Sequence, residues 1–240
     1  DITGVETQRE VVKEEKRQRM DNQPYGSIIT EIMKRAYKVH PYRWPTIGSM
    51  DHLNAAQEED YIAFYKNYYV PNNAILSIAG DIDVKKTKDL IEAYFGPIPK
   101  GTKEIPEVTE VEPPLGGEIR DTVYDNIQLP AVVQAYRIPA NGTDDFYAVS
   151  MLAQLMSQGE SSRLTKKCVN ESENAMMVGA FPFALEHPGV TLTFGIAQDG
   201  VDIQVLEEEM NGEFKKVQDS LIGDREFEKL KNQIESEFVG

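Results

Sequence analysis

The stretch VETQREVVKEEKRQRM at positions 5–20 holds the residues best suited to chemistry, because it combines a predicted helix with a carboxylate on its apolar side. Helical spacing groups five side chains on that side: Val5, Gln8, Val11, Val12 and Glu15. The basic residues fall on the other side: Arg9, Lys13, Lys16 and Arg17. A carboxylate on a buried face is costly unless it is paired or bound to a metal ion. The residues alone favour an ion pair for Glu15, with metal ligation as the alternative.

Histidine and cysteine are scarce, with three histidines and one cysteine in the chain. None of the histidines His40, His52 and His187 is paired at the spacing of a helical metal-ligand motif. His40, His52 and Asp51 lie in a turn or just before a helix, where nothing fixes their geometry, so capping or surface roles are predicted for them. Cys168 is the one cysteine, which excludes an internal disulfide, and it is predicted to be a small, partly buried residue.

The composition is that of a globular protein. The chain has 240 residues, of which 40% are hydrophobic and 27% charged. Its formal net charge of −15 argues against nucleic acid or an anionic membrane as a partner. No apolar run approaches the roughly 18 residues of a membrane-spanning helix. The first residue is not methionine, so the chain is interpreted as a piece of a larger protein, and its compartment, periplasmic or cytoplasmic, stays open.

The stretch HPYRWPTIGSMDHLNAAQEEDYIAFYKNYYVPNNAILSIAGD at positions 40–81 predicts a turn, a helix and a buried strand. Asn54 is the predicted N-cap, and Gln57 completes a capping box. An aromatic stripe on the helix is predicted to pack in a core: Tyr61, Phe64, Tyr65 and Tyr68. The apolar run at 74–79 predicts a core strand. With further helices predicted at 27–39 and 84–95, this half is typical of an α+β unit whose earlier strands are missing.

A second unit is predicted beyond a linker at 100–117 that is rich in proline and glycine. Strands are predicted at 118–124, 131–138, 175–183 and 189–197, and helices at 146–156, 163–169, 201–218 and 224–238. The predicted fold class is α+β, with mixed or antiparallel sheets, helices packed on one face and two related units.

Two motifs of the first half resemble the pitrilysin–insulysin family of zinc metallopeptidases, in its bacterial and mitochondrial-processing-peptidase branch. One is the HPY…P…G…FYxxYYxPNN…GD passage at 40–81, and the other is QREVVKEEKR at 8–17. In this family two histidines of an inverted H-x-x-E-H motif and a glutamate on a downstream helix hold the zinc ion. The resemblance implies that Glu15 is this glutamate, with Glu14 as the neighbouring competitor. Gln8 stands where some members carry an accessory glutamate, and the H-x-x-E-H motif is absent.

The second half resembles the family through the residues Gly159, Ser161, Ser162, Arg163 and Leu164. Active members carry an arginine and a tyrosine, seven residues apart, that bind the substrate backbone and the developing oxyanion. The matching positions are Asn170 and Met176, neither of which can replace these donors. Arg163 is a weak candidate substitute, because this element is chiefly structural in the family.

The resemblance implies a zinc-dependent metalloendopeptidase that hydrolyses peptides in a closed chamber, with zinc as the cofactor of the full-length protein. The present chain is expected to lack catalytic residues of its own and to be metal-free and inactive alone. It is predicted to contain the C-terminal half of the zinc-bearing domain at 1–99, the linker at 100–117 and the front of a second, non-zinc-binding domain at 118–240. Expected partners are a peptide or unfolded-protein substrate and a homologous chain or second copy. The alternative is a non-catalytic subunit for peptide binding or assembly, paired with an active homologue.

Overall fold

The computed structural model describes residues 2–239 and consists of helices with one small sheet. Its α-helices are α1 (Ile2–Lys16), α2 (Ile28–Ala36), α3 (Met50–Ala55), α4 (Glu58–Tyr68), α5 (Val84–Phe95), α6 (Asp144–Ser157), α7 (Ile203–Asp219) and α8 (Asp224–Val239). Its strands are β1 (Ala131–Ile138), β2 (Ala175–Pro182) and β3 (Gly189–Ala197). π-Helical turns cover Arg17–Asp21 and Thr165–Glu171. None of the helices in the described range combines the length and the apolar character that crossing a bilayer requires.

The sheet is antiparallel, with β3 in the centre between β1 and β2. The register pairs Ala131 with Ile196 and Ile138 with Gly189. β1 and β3 have the predicted limits, and β2 ends one residue early. All three are rich in apolar and β-branched residues, which fit a pleated surface with helices packed on it.

Helices α6 and α7 cover this sheet and enclose its core. A Cβ atom on Gly195 of β3 would lie 2.8 Å from Met210 Sδ of α7, so any larger residue there would force the Met210 side chain to move. The fully buried residues of the core come from both helices, from the strands, and from the π-helical turn Thr165–Glu171 with the residue before it: Met156, Leu164, Cys168, Ala175, Ala197, Leu206 and Met210. The predicted α+β fold class is thereby confirmed.

The chain forms two compact units that do not follow chain order. Unit 1 comprises residues 1–23 and 39–113, and unit 2 comprises residues 24–38 and 114–240. Helix α2 belongs to unit 2, where it packs against β1 and where the Arg137 guanidinium donates to the carbonyl of Ala36. Tyr37, which follows α2, is also buried and donates its hydroxyl to the carbonyl of Pro188, 2.8 Å away. The domain limits predicted from the sequence, 1–99 and 118–240, stay a prediction.

Unit 1 contains helices but, among its described residues, no strand. The strand predicted at 74–79 is wrong as a feature of this structure, because a strand needs a neighbour for its backbone hydrogen bonds and none lies beside it. Its side chains are exposed instead, with Ile75 at 99% and Leu76 at 55%. The strand predicted at 118–124, in unit 2, is likewise absent from the described structure.

The helices of the 40–81 stretch begin at different residues from those predicted. Ser49 rather than Asn54 is the first N-cap, and its hydroxyl accepts from the His52 amide at 3.1 Å. Gln57 caps α4, and the Asp60 carboxylate accepts from its backbone N–H at 2.8 Å. The aromatic stripe does not pack in a core: Phe64 is 57% and Tyr65 63% exposed, because no described element covers that face of α4.

Candidate functional site

Helix α1 is held in unit 1 by a buried arginine. Arg9 is 8% exposed. Its Nη1 donates to the carbonyls of Leu53 at 2.9 Å and Asn54 at 2.8 Å, and its Nη2 to the carbonyl of Ala56 at 2.6 Å. These carbonyls lie at the C-terminal end of α3, where the last turn lacks intrahelical partners and the helix dipole favours a cation. Arg9 therefore fastens α1 to the end of α3.

The buried side of α1 carries basic residues together with the half-buried Val5 and Val12, so the sequence-based separation of an apolar from a basic side was wrong in part. The side chains of Arg9, Lys13 and Lys16 are only 8%, 13% and 17% exposed. By contrast Val11, expected to be buried, is 53% exposed, and Gln8 is exposed too. Hydrophobic periodicity missed this because α3 offers carbonyls, which a guanidinium satisfies better than an apolar side chain. A basic face with helical spacing beside a helix end is the signal that points to Arg9.

Glu15 lies on the open side of α1, close to the start of the π-helical turn Arg17–Asp21. Its side chain is 40% exposed and pairs with Arg19 Nη1 at 3.0 Å, while Arg19 itself is 75% exposed. An ion pair this exposed contributes at most about 1 kcal/mol. The ion pair favoured by the residues alone is thus present, and it is weak enough for a stronger ligand to replace Arg19.

The competitor Glu14 is engaged differently. Its two carboxylate oxygens accept from Arg17 Nη1 at 3.1 Å and Gln18 Nε2 at 3.0 Å. These bonds, from Gln18 and Arg17, hold the pKa of the Glu14 carboxyl below its usual value. Two neighbours thus hold Glu14, whereas the side chain of Glu15 pairs with Arg19, which is 75% exposed. Which of the two ligates a metal stays a prediction.

A single carboxylate suits one position of a zinc site, since oxygen donors from glutamate are common zinc ligands. Within residues 2–239, no three His, Cys, Asp or Glu side chains come together as a metal site. His40 is buried, and its Nδ1 accepts from the Tyr42 amide at 3.2 Å. His52 lies in α3, with its ring edge-on to Trp44 at 5.5 Å. These histidines therefore have local roles, and the site made of His40, His52 and Asp51 does not form.

The two positions predicted to have lost substrate-binding side chains both lie at backbone irregularities of unit 2. Asn170 is exposed in the π-helical turn Thr165–Glu171, where its Nδ2 donates to the Glu160 carbonyl at 3.4 Å. Met176 is 49% exposed and lies at a register shift of β2, between Ala175 and Met177. Both kinds of irregularity recur beside functional sites. An amide and a thioether there offer no charged donor for an oxyanion.

Arg163 is bound within unit 2 and is not presented to a substrate. Its Nε donates to Glu226 Oε1 at 2.9 Å and its Nη2 to Glu226 Oε2 at 2.6 Å. This bidentate pair links the segment before the π-helical turn to α8. Cys168 lies in the core, and burial raises the pKa of its thiol to about 12. Neither side chain is poised for chemistry.

Unit 2 is an α+β unit, and helix α1 of unit 1 presents one carboxylate. The chain belongs to the family described as Peptidase M16 inactive domain, whose model matches residues 55–234. The predicted relationship to this group of metallopeptidases is confirmed.

Curated relatives of the chain are named zinc proteases. Zinc protease PqqE of Helicobacter pylori is 30% identical over 234 residues, which cover 97% of this chain and 53% of that protein. An uncharacterized zinc protease of Rickettsia felis is 23% identical over 234 residues, covering 96% of this chain and 54% of that protein. The chain thus spans about half the length of these relatives.

Solved structures share the fold. The crystal structure of a protease from Helicobacter pylori matches with a TM-score of 0.92 and 28% identity, over 100% of this chain and 58% of that one. The peptidase M16 inactive domain from Pseudomonas fluorescens matches with a TM-score of 0.77 over 98% of this chain and 56% of that one. At 15% identity the second match bears on the fold alone.

Proposed function

We propose that this chain is part of a zinc-dependent metalloendopeptidase that hydrolyses peptides in a closed chamber, and that Glu15 is one of the protein ligands of its zinc ion. The observation that carries the proposal is the placement of Glu15, half exposed on the open side of α1 with one displaceable partner. Zinc bound in such a site would supply Lewis-acid activation of water. The contribution of Glu15 is one oxygen donor and a negative charge that offsets part of the charge of the cation.

The other ligands and the general base come, in this proposal, from an H-x-x-E-H motif elsewhere in a longer polypeptide. The exposed apolar surface of unit 1 supports this view. Ile75 and Leu76 lie in an extended segment without neighbouring strands, and Tyr94 of α5 is 75% exposed. Large exposed apolar patches mark surfaces that other protein segments cover. We propose that further strands of the same polypeptide pair with the segment at 74–79.

In this arrangement residues 1–99 are the C-terminal half of a zinc-bearing domain, residues 100–117 a linker and residues 118–240 the front of a second domain without zinc. The substrate is a peptide or an unfolded segment of a protein. A homologous partner chain, or a second copy, would supply the arginine and tyrosine that this chain lacks at Asn170 and Met176. The chain by itself is proposed to be inactive.

The test is the zinc content of the natural polypeptide that contains this chain, with Glu15→Gln as the variant and Glu14→Gln as its matched control. Glutamine keeps the size of the side chain but removes the charge of the donor. The first variant is expected to lose most of its zinc after dialysis, and the control to keep it. Equal zinc content in wild type and Glu15→Gln would show that Glu15 is not a ligand.

The absence of the substrate-binding arginine and tyrosine favours a second candidate, a non-catalytic subunit that binds peptides or assists assembly. Asn170 and Met176, which stand at these two positions, lack the required hydrogen-bond donors, and Arg163 is paired with Glu226. The two candidates differ in what chelation does to the natural polypeptide. A peptidase loses hydrolysis of an unfolded protein when zinc is removed, whereas a binding subunit retains peptide without cleaving it at any zinc concentration.

A further inference from the structure

The three hydrogen bonds from Arg9 to carbonyls of α3 set where α1 lies in unit 1. The guanidinium is a rigid planar fork, so three acceptors fix both its position and its orientation. Glu6, one turn earlier on the same helix, accepts from Arg9 Nη2 at 3.1 Å and holds the fork from the helix side. Because the side chain is buried, water does not compete for these bonds. The geometry therefore locks the rotation of α1 about its own axis and its shift along that axis.

The same helix carries Glu15, six residues further on and without interruption. At about 1.5 Å and 100° per residue, Glu15 lies about 9 Å along the axis from Arg9 and about 120° around it. A carboxylate about 6 Å from the helix axis moves by about 2 Å when the helix rotates by about 20°. Metal–ligand distances tolerate only about 0.2 Å. A small rotation of the helix, if Arg9 no longer prevents it, would therefore move the Glu15 carboxylate farther than a metal site tolerates.

We infer that Arg9 is a positioning residue for Glu15: its fork on the end of α3 aims the carboxylate at the metal. This inference rests on the proposed function, in which Glu15 is a zinc ligand. Arg9 touches neither metal nor substrate and acts through the helix. The effect of losing Arg9 should resemble that of losing a residue that orients a metal ligand, which lowers metal affinity by about 10- to 100-fold.

The experiment measures the zinc dissociation constant of the natural polypeptide by competition with a chelator, and the visible spectrum of its cobalt-substituted form. Arg9→Met removes the fork but keeps much of the volume of the side chain, and Arg9→Lys keeps the charge with a single donor group. Arg17→Met is the matched control, because Arg17 lies in the π-helical turn beside Glu15, is exposed and pairs with Glu14. Unfolding of the metal-free variants is followed in parallel.

Arg9→Met is expected to raise the zinc dissociation constant by about 10- to 100-fold and to change the cobalt spectrum, with Arg9→Lys in between and Arg17→Met within about two-fold of wild type. In a Glu15→Gln background, Arg9→Lys should have no further effect on zinc, which shows that Arg9 acts through Glu15. If Arg9→Met does not fold, Arg9→Lys decides by the same two readouts.

Two outcomes overturn the inference and are distinguishable. Unchanged zinc affinity and cobalt spectrum in the Arg9 variants, with Glu15→Gln still losing zinc, would leave Arg9 a purely structural residue. Unchanged zinc affinity in Glu15→Gln as well would refute the proposed function itself.

Discussion

Replacing Arg163 by methionine removes a bidentate ion pair that is only partly exposed, and its cost follows from that environment. The two bonds to Glu226 measure 2.9 and 2.6 Å, and the side chains are 20% and 33% exposed. Buried hydrogen bonds to charged groups contribute about 1.5–3 kcal/mol, and fully exposed pairs about 0.2–1 kcal/mol. We therefore expect Arg163→Met to lower the free energy of unfolding by about 1–2 kcal/mol at pH 7.

The effect should depend on pH in a defined direction. The hydrogen bond from Arg163 lowers the pKa of the Glu226 carboxyl from its ordinary value of 4.5. The folded state therefore binds the proton less readily than the unfolded state. The stabilisation is complete above about pH 4.5 and is lost as the pH falls through the lowered pKa. The difference between wild type and Arg163→Met should shrink over that acid range.

The assay is urea unfolding followed by circular dichroism, from pH 7 down to the lowest pH at which the chain folds. Lys215→Met is the matched control, because Lys215 and Asp219 form an ion pair in which both side chains are mostly exposed, at 65% and 59%. It should cost less than about 0.5 kcal/mol. The reasoning fails if Arg163→Met costs no more than this control, or if its cost is the same at every pH. Either result would mean that the ion pair with Glu226 does not hold Arg163 firmly, so that its side chain could instead bind a substrate.

Two further predictions concern the core of unit 2. Leu206→Ala should lower the free energy of unfolding by about 2–5 kcal/mol, because Leu206 is fully buried between α7 and the sheet. Val205→Ala, at a 44% exposed position, should change it by less than about 1 kcal/mol. Urea unfolding measures both values, and equal values would contradict the face of α7 that is packed on the sheet. Cys168 should resist alkylation at pH 8 until the chain is unfolded, because its raised pKa leaves almost no thiolate; rapid labelling of the folded protein would contradict the core assignment.

The sequence predicts those strands whose apolar pattern is matched by a neighbouring strand within the described structure. Strands β1 and β3 pair with each other along their whole length, so a pattern of apolar residues was enough to find their limits. The segment at 74–79 has an equally apolar pattern but no neighbour among the described residues. Propensity alone does not make a strand, because the backbone needs a second chain segment for its hydrogen bonds.

The candidate site divides in the same way. Glu15 is predicted from a motif together with the periodicity of its helix, which are both properties of adjacent residues, and its role as a ligand stays a prediction. Arg9 was placed on the wrong side, because its burial depends on three carbonyls 44 to 47 positions further along the chain. The pairing of Arg163 with Glu226, which lies 63 positions further along the chain, likewise cannot be predicted from the local sequence pattern.

The extended segment at 74–79 also bears on how this chain behaves in concentrated solution. Its six residues AILSIA carry no charge and no proline, they pair with no strand among the described residues, and Ile75 is 99% exposed. Such hexapeptides pair with copies of themselves into stacked, interdigitated sheets. Self-association of the isolated chain should therefore be concentration-dependent and nucleated here. Ile75→Lys should suppress this self-association without touching the core of unit 2.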